Sequence, residues 1–248
     1  MIKFFRRIRK NLVSQNRIVK YFLYAFGEII LVVIGILIAL QINNWNEFQK
    51  LKRNEKDILN NILTAINNDL GVYNNLFEYR LERKRQAIDT LVHFVGLNAK
   101  IHDSIVIKYF EYVGHDIVAR VDSGPFDALK SGGLHQITNE ALREQIVSTY
   151  QVLLPSFVIF TQIPSNELNP IISELELKLI EPKVVLDQNN KFSIKKHIIA
   201  KNIFSNPDFI RVLDLQKRKY DNYKSRLSPM RKILESLKKE IEKELQND

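Results

Sequence analysis

One carboxylate stands inside an apolar run: Glu28 lies seven residues into YFLYAFGEIILVVIGILIALQI, Tyr21–Ile42. An ionised acid in hydrocarbon costs about 2.5 kcal/mol or more, so such a residue is by default a candidate functional site. An equally simple reading starts the apolar core near Ile29 and leaves Glu28 at the interface beside Lys20. The same run holds Gly35-x-x-x-Ala39, a small-x-x-x-small face that lets two membrane helices approach closely. Elsewhere the chemistry is thin. Ser193-x-x-Lys196 has the spacing of a serine–lysine nucleophile pair, but so does Ser236-x-x-Lys239 in a charged segment, and neither has the supporting Ser-Asp-Asn or Lys-Thr-Gly. His93, His102 and His115 lack metal-ligand spacing of the His-Glu-x-x-His kind. Ser131-Gly132-Gly133 lacks the spacing and lysine of a phosphate loop. No catalytic residue, metal or cofactor is therefore assigned. Arg80, Arg83, Lys84 and Arg85 read as a solvated helix face able to meet an anion. Lys130 and Arg143 are the anion contacts expected of a pocket shaped by Ser123–Arg143.

The element that carries Glu28, Gly35 and Ala39 is the clearest in the chain. Its 22 residues match the length a helix needs to cross a hydrocarbon core of roughly 30 Å. The formal charge of +9 would suit nucleic acid if it were spread over the protein, but it is not. Lys3, Arg6, Arg7, Arg9, Lys10, Arg17 and Lys20 precede the run with no acid among them, and from Tyr21 onward 30 basic residues face 28 acidic ones. The positive-inside rule then places the N-terminus in the cytoplasm. Ile2, Phe4, Phe5, Ile8, Leu12 and Val13 can share one face of a surface-lying helix whose cations meet anionic headgroups. The long basic start and the lack of an Ala-x-Ala site favour an uncleaved anchor over a signal peptide. The expected organisation is a basic cytoplasmic segment over 1–20, a transmembrane helix over 21–42 and an extracytoplasmic helical bundle over 43–248. Zero cysteines leave that outer domain without disulfides, and its length suffices for a core without them.

The fold class expected is mainly α, an antiparallel bundle of long helices. Ile62, Ile66, Leu70, Tyr73, Phe77, Leu81, Ile88 and Leu91 fall in helical steps, with Lys84 filling one apolar slot. That predicts a helix from about Asn44 to Val95, with Gly96-Leu97-Asn98 as its stop. Ser205-Asn206-Pro207 starts another, whose seam is Leu213, Tyr220, Leu227, Leu234 and Ile241 with Tyr223, Met230 and Leu237 beside it. Pro229 should kink or interrupt it near Arg226. Between the two, a helix follows Ser123-Gly124-Pro125, another is capped by Thr138 and ends toward Pro164, and a third starts between Ser165 and Pro170. Val152–Ile163 reads as buried helix. A short β element is expected near 104–121 or 184–194, with Asp187-Gln188-Asn189-Asn190 as a polar loop.

The runs GEIILVVIGILIALQINNWNE, Gly27–Glu47, and DALKSGGLHQITNEALREQIVSTY, Asp127–Tyr150, resemble a family of uncharacterised Bacteroidota membrane proteins. The resemblance implies a basic N-terminus, one span and a helical outer domain in the bacterial inner membrane, with the C-terminal domain periplasmic. It implies no activity. Taken together, the favoured reading is a non-enzymatic scaffold or partner-binding subunit of a cell-envelope complex. Its partners are the bilayer and a protein or a second copy, not nucleic acid. The alternative is a ligand-binding sensory or accessory subunit with its pocket near 123–143.

Overall fold

Apolar side chains spaced three and four apart from Leu59 to Phe77 bury one continuous stripe in the computed structural model, which describes residues 18–97, 100–186 and 191–247. They lie on α1 (Ile18–Val72) and on a π-turn, Tyr73–Phe77, that passes directly into α2 (Glu78–Gly96). The helix therefore runs on to Gly96, where its glycine stop signal falls, and Leu97 is already extended. A π-turn widens one turn by an extra residue, and here it follows Gly71, the weakest helix former of the stretch. It keeps Tyr73 and Phe77 on the inner face, their rings edge to face with centroids 6.3 Å apart.

The chain divides into two units, Met1–Lys56 and Asp57–Asp248. In the first, Phe22 to Ile42 is helical and none of its most apolar stretch is buried, so it is long and apolar enough to cross a membrane. The basic residues from Lys3 to Arg17, and the surface-lying helix expected there, lie outside the described residues, as does the Lys20 side chain. The remainder of α1, from Asp57, and every later element belong to the second unit.

The mainly α class holds. After α2 come α3 (Asp103–Gly114), α4 (Gly124–Gly132), α5 (Glu140–Ser148), a second π-turn (Thr149–Leu153), α6 (Leu154–Leu179), a β1–β2 hairpin (Ile180–Leu186, Phe192–Ile198) and α7 (Pro207–Asn247). The hairpin is antiparallel from Ile180↔Ile198 to Leu186↔Phe192, so the expected β element near 184–194 is present and the one near 104–121 is not. Ser104–Val113 is β-branched, yet Val106, Phe110 and Val113 are buried at helical spacing, and the His102 ring caps α3 by accepting from the Ser104 N–H. The expected loop at Asp187–Asn190 lies outside the described residues.

Long-range pairs show α7 running antiparallel to α2 and to the part of α1 beyond Lys56: Lys238 donates to Asn67 at 2.8 Å, Arg231 faces Glu78 at 3.7 Å, and Gln216 accepts from Lys84 at 2.7 Å. Leu213, Leu227, Leu234 and Ile241 of the predicted seam are buried with Tyr223, Met230 and Leu237, while Tyr220 is half-buried. Two clusters form around it. One gathers Leu59 to Phe77, Ile117, Phe126, Tyr150 and the C-terminal half of α7. The other joins α2, α3, the end of α6, the base of the hairpin and the start of α7.

Three expectations are corrected. Pro229 does not interrupt α7; it is exposed, on the side where water can meet a carbonyl that loses its partner. Pro164 and Pro170 likewise lie inside a single helix, α6, which does not break near Ser165. That helix buries Thr161, Ser165, Ile172 and Leu179 and packs along α7 more extensively than any other helix pair, which outweighs the local breaker signal. The helix start at 138–140 is capped by Asn139, whose side-chain oxygen accepts from the Leu142 N–H at 3.2 Å, one residue after the expected Thr138. Val152–Ile163 is helical but only partly buried: Leu154 and Thr161 face inward while Val152, Ile159, Phe160 and Ile163 are exposed.

Candidate binding groove and the network that holds its wall

Residues 115–123, HDIVARVDS, form a strap outside helix and strand between α3 and α4, extended at His115 and turning into helical angles at Ser123. Side chains of an extended segment alternate sides. Ile117 and Ala119 plug into the core, and Val118 and Arg120 point outward.

Both ends of the strap are pinned by polar groups. At the first end, the Asp116 carboxylate accepts from the Lys219 ammonium, from Asn169 at 2.8 Å and from the Tyr223 hydroxyl at 3.2 Å, while Ser165 and Tyr223 share a 2.6 Å hydrogen bond. Beside it Lys84 donates to the Val113 carbonyl, to Gln216 at 2.7 Å and to the His115 carbonyl at 3.4 Å. Val113 and His115 close the C-terminus of α3, so a buried cation caps the negative end of that helix. Both lysines are fully buried. At the other end, the Asp122 N–H donates to both oxygens of Asp69 at 3.2 Å, and the Asp122 carboxylate accepts from the Gly124 N–H at 3.1 Å at the start of α4.

The electrostatics follow from burial. Desolvation, with the Lys219 charge adding to it, brings Lys84 down to about 7 from 10.5. Burial works against the Asp116 carboxylate, yet its bonds from Lys219 and Asn169 outweigh it and hold the acid below its usual range. Glu176, which faces the same network, is raised by burial. Asp69 rises to about 6 because burial exceeds the gain from the Asp122 N–H.

The strap from Val118 to Ser123, Ala119 included, forms one wall of a groove of about 540 Å³. Val118, Val121 and Ser123 face Leu154, Pro155, Val158 and Ile159 across it, with Arg120 and Gln162 as its polar members. Tyr150 lines it too, its ring stacked on Phe126 with centroids 5.2 Å apart. The Tyr150 hydroxyl is buried and has no hydrogen-bond partner among the described residues. Burial, then the Asp69 and Asp122 charges, raise its pKa above the usual phenol value, so it stays a neutral phenol with its donor unspent. A second, more polar cleft of about 490 Å³ lies between Phe110, Glu111, His115, Glu176 and Lys196, where Lys196 pairs with Glu111 at 3.2 Å.

Of the pocket expected near 123–143, only Ser123 lines the groove. Lys130 is exposed on α4, and Arg143 spends its guanidinium on the Ile137 carbonyl at 3.0 Å and on Glu140 at 3.4 Å, a local tie rather than an anion contact. The cluster at 80–85 is not one solvated face: Arg83 stacks on Tyr112 and Arg85 pairs with Glu82 and Asp89, but Lys84 turns wholly inward. Ser193 donates to the Val185 carbonyl across the hairpin while Lys196 is engaged with Glu111. Glu28, Gly35 and Ala39 lie on α1 within the first unit; Glu28 is half-buried among Ala25, Ile29, Val32 and Val33, and Gly35 has open space around it. No cluster of His, Asp and Glu suited to a metal occurs among the described residues. Asp116, Lys219 and Asn169 were not singled out by the sequence. Their one available signal was polar residues at inward positions of α7, Gln216, Lys219 and Tyr223 at steps of three and four.

Residues 28–187 match a family of unknown function, DUF6090, and that stretch includes the apolar run of α1 from Glu28 onward, the strap and both sides of the groove. No curated protein and no solved structure matches the chain.

The network generates two expectations. Lys84 has a folded-state value below its unfolded one, so its contribution to stability is complete above 10.5 and is lost as pH falls toward about 7. Denaturation of the full-length protein across that window should show stability rising with pH, with a slope of up to about 1.4 kcal/mol per unit. Lys84→Met should flatten the slope; an unchanged slope would mean that Lys84 is not the titrating group. Asp116→Asn leaves the Lys219 ammonium buried without its counter-charge and should cost about 3–5 kcal/mol. Adding Lys219→Met should recover much of that loss, measured as a double-mutant cycle.

Proposed function

Because the chain belongs to the family of unknown function DUF6090, whose description assigns no activity, we propose from its own geometry that it is a single-pass membrane-anchored, non-enzymatic binding protein. In this reading the Tyr21–Ile42 helix holds it in the bacterial inner membrane with the basic N-terminus in the cytoplasm. The helical domain works as an accessory subunit that takes a ligand in the groove between the 115–123 strap and α6. The observation that carries the reading is the groove itself: an apolar concavity of about 540 Å³ whose wall is fixed at both ends by charged groups. Ligand sites are concavities of roughly this size, mostly apolar with a few placed polar groups. The shape is preformed, so little ordering cost falls on binding.

A second reading, a scaffold for a partner protein of an envelope complex, draws support from the exposed apolar stripe of Val152, Ile159, Phe160 and Ile163. Soluble surfaces seldom gather such residues without something to cover them.

Two experiments test these readings. Since the chain has no cysteine, Ser14→Cys and Lys224→Cys variants can each be probed with a membrane-impermeant maleimide on spheroplasts. Position 224 should label and position 14 should not until the membrane is opened; the reverse pattern would overturn the orientation. For the groove, the full-length protein in lipid nanodiscs should be screened by thermal shift against metabolites and lipids. A groove ligand at about 100 times its Kd should add about 2.7 kcal/mol, or roughly 5–10 °C, and Val158→Trp should abolish the shift. A panel without a hit, together with partner crosslinks on Ile159 or Phe160, would favour the scaffold instead.

A further inference from the structure

We infer that the groove takes the acyl chain of an amphipathic anion and that Arg120 holds its carboxylate or phosphate; this rests on the ligand-binding reading above. Three observations converge. The walls are aliphatic on both sides, with Val118, Val121, Leu154, Pro155, Val158 and Ile159 facing one another and few polar groups between them. Such a lining recognises methylenes by exclusion of water, and each methylene buried strengthens binding about fourfold, from about 0.8 kcal/mol apiece.

Charge supplies the second observation. Arg120 lies on the outward side of the strap, lines the groove, and makes no hydrogen bond or ion pair with any described residue. This contrasts with Arg143, Arg83 and Arg85, each committed to a protein partner. A guanidinium kept free beside an aliphatic groove suits an oxyanion, which it can bind through two parallel hydrogen bonds. Asp122 and Asp69 are engaged with backbone amides instead, Asp122 accepting from Gly124 and Asp69 from Asp122.

The third observation is the buried Tyr150 hydroxyl, which has no hydrogen-bond partner among the described residues. Burial without a hydrogen bond is costly for such a group. An ester carbonyl or carboxylate oxygen seated in the groove is an acceptor of the kind it lacks. Fatty acids and anionic phospholipids share this chemistry, an acyl chain ending in an oxyanion.

The test uses full-length protein in nanodiscs of zwitterionic phosphatidylcholine. It is photolysed with diazirine-bearing palmitate in one arm and phosphatidylglycerol bearing the same diazirine chain in the other, and the adducts are mapped by peptide. Either probe should label peptides holding 118–123 and 150–162, in addition to the transmembrane run. Whichever arm labels more strongly names the source. Unlabelled acids from decanoate to palmitate should compete with potency rising about fourfold per methylene until the groove is full. Val158→Trp should remove the groove adducts and leave those on Phe22–Ile42 unchanged. Arg120→Glu, an exposed change that leaves the core untouched, should weaken competition by palmitate about tenfold but not competition by hexadecanol. Adducts confined to the transmembrane run would overturn the inference. So would groove adducts that persist in Val158→Trp, or acid and alcohol competing equally whatever stands at position 120. If another compound gives a thermal shift that Val158→Trp abolishes while the acyl probes miss the groove, the acyl inference fails and the binding reading stands.

Discussion

The fold depends on two lysines held away from water. Lys84 and Lys219 are both fully buried, and a buried ammonium is tolerated only where its protons are spent. Lys84 spends them on two carbonyls and Gln216; Lys219 spends them on Asp116 and Asn169. Those partners come from α2, α3, the strap, α6 and α7, so one set of polar contacts fixes the mutual register of five segments that apolar packing alone would hold less specifically. Hydrophobic surfaces slide at small cost, whereas a buried charge cannot lose its partner without a penalty of several kcal/mol. The network therefore acts less as a source of net stability than as a constraint on which arrangement of the helices is allowed.

The groove is a consequence of that constraint. An extended strap with no sheet partner would ordinarily wander, since its backbone groups gain nothing from a ladder. Here Asp116 is clamped into the network and the Asp122 amide is clamped onto Asp69, with Ile117 and Ala119 as apolar pegs between. The alternation that buries these two turns Val118 and Arg120 toward α6. Anchoring the strap at Asp116 and Asp122 while Ile117 and Ala119 are buried thus leaves Val118 and Arg120 on the groove.

Much of the scaffold was legible in the sequence because helical packing leaves a periodic trace. The Leu213–Ile241 seam, the stop at Gly96, the helix after Ser123-Gly124-Pro125 and the start at Pro207 all follow from spacing and caps. Lys84 was visible as a charge in an apolar slot, though not its inward direction. Pro164 and Pro170 misled because a proline signals locally, while the face that α6 buries against α7 is a tertiary fact. The β-branched and aromatic run in α3 was open to strand or helix on residue type alone, and the positions of Val106, Phe110 and Val113 decided for helix. The groove left no trace of its own. Its two walls are separated by some thirty residues of sequence, and nothing periodic links Asp116 to Lys219 across more than a hundred.

The π-turn at Tyr73–Phe77 can be seen as a phase shifter. Each residue of an α-helix advances the chain by about 100° around the axis, so the extra residue in this wide turn sets the angle between the stripe before it and the stripe after it. Leu59, Ile62 and Ile66 serve one apolar cluster; Ala87, Ile88 and Leu91 serve the other, and Lys84 faces the polar network between. A chain one residue shorter at this turn would keep every side chain it needs and aim half of them wrongly. Length itself, counted residue by residue, is part of what this sequence encodes.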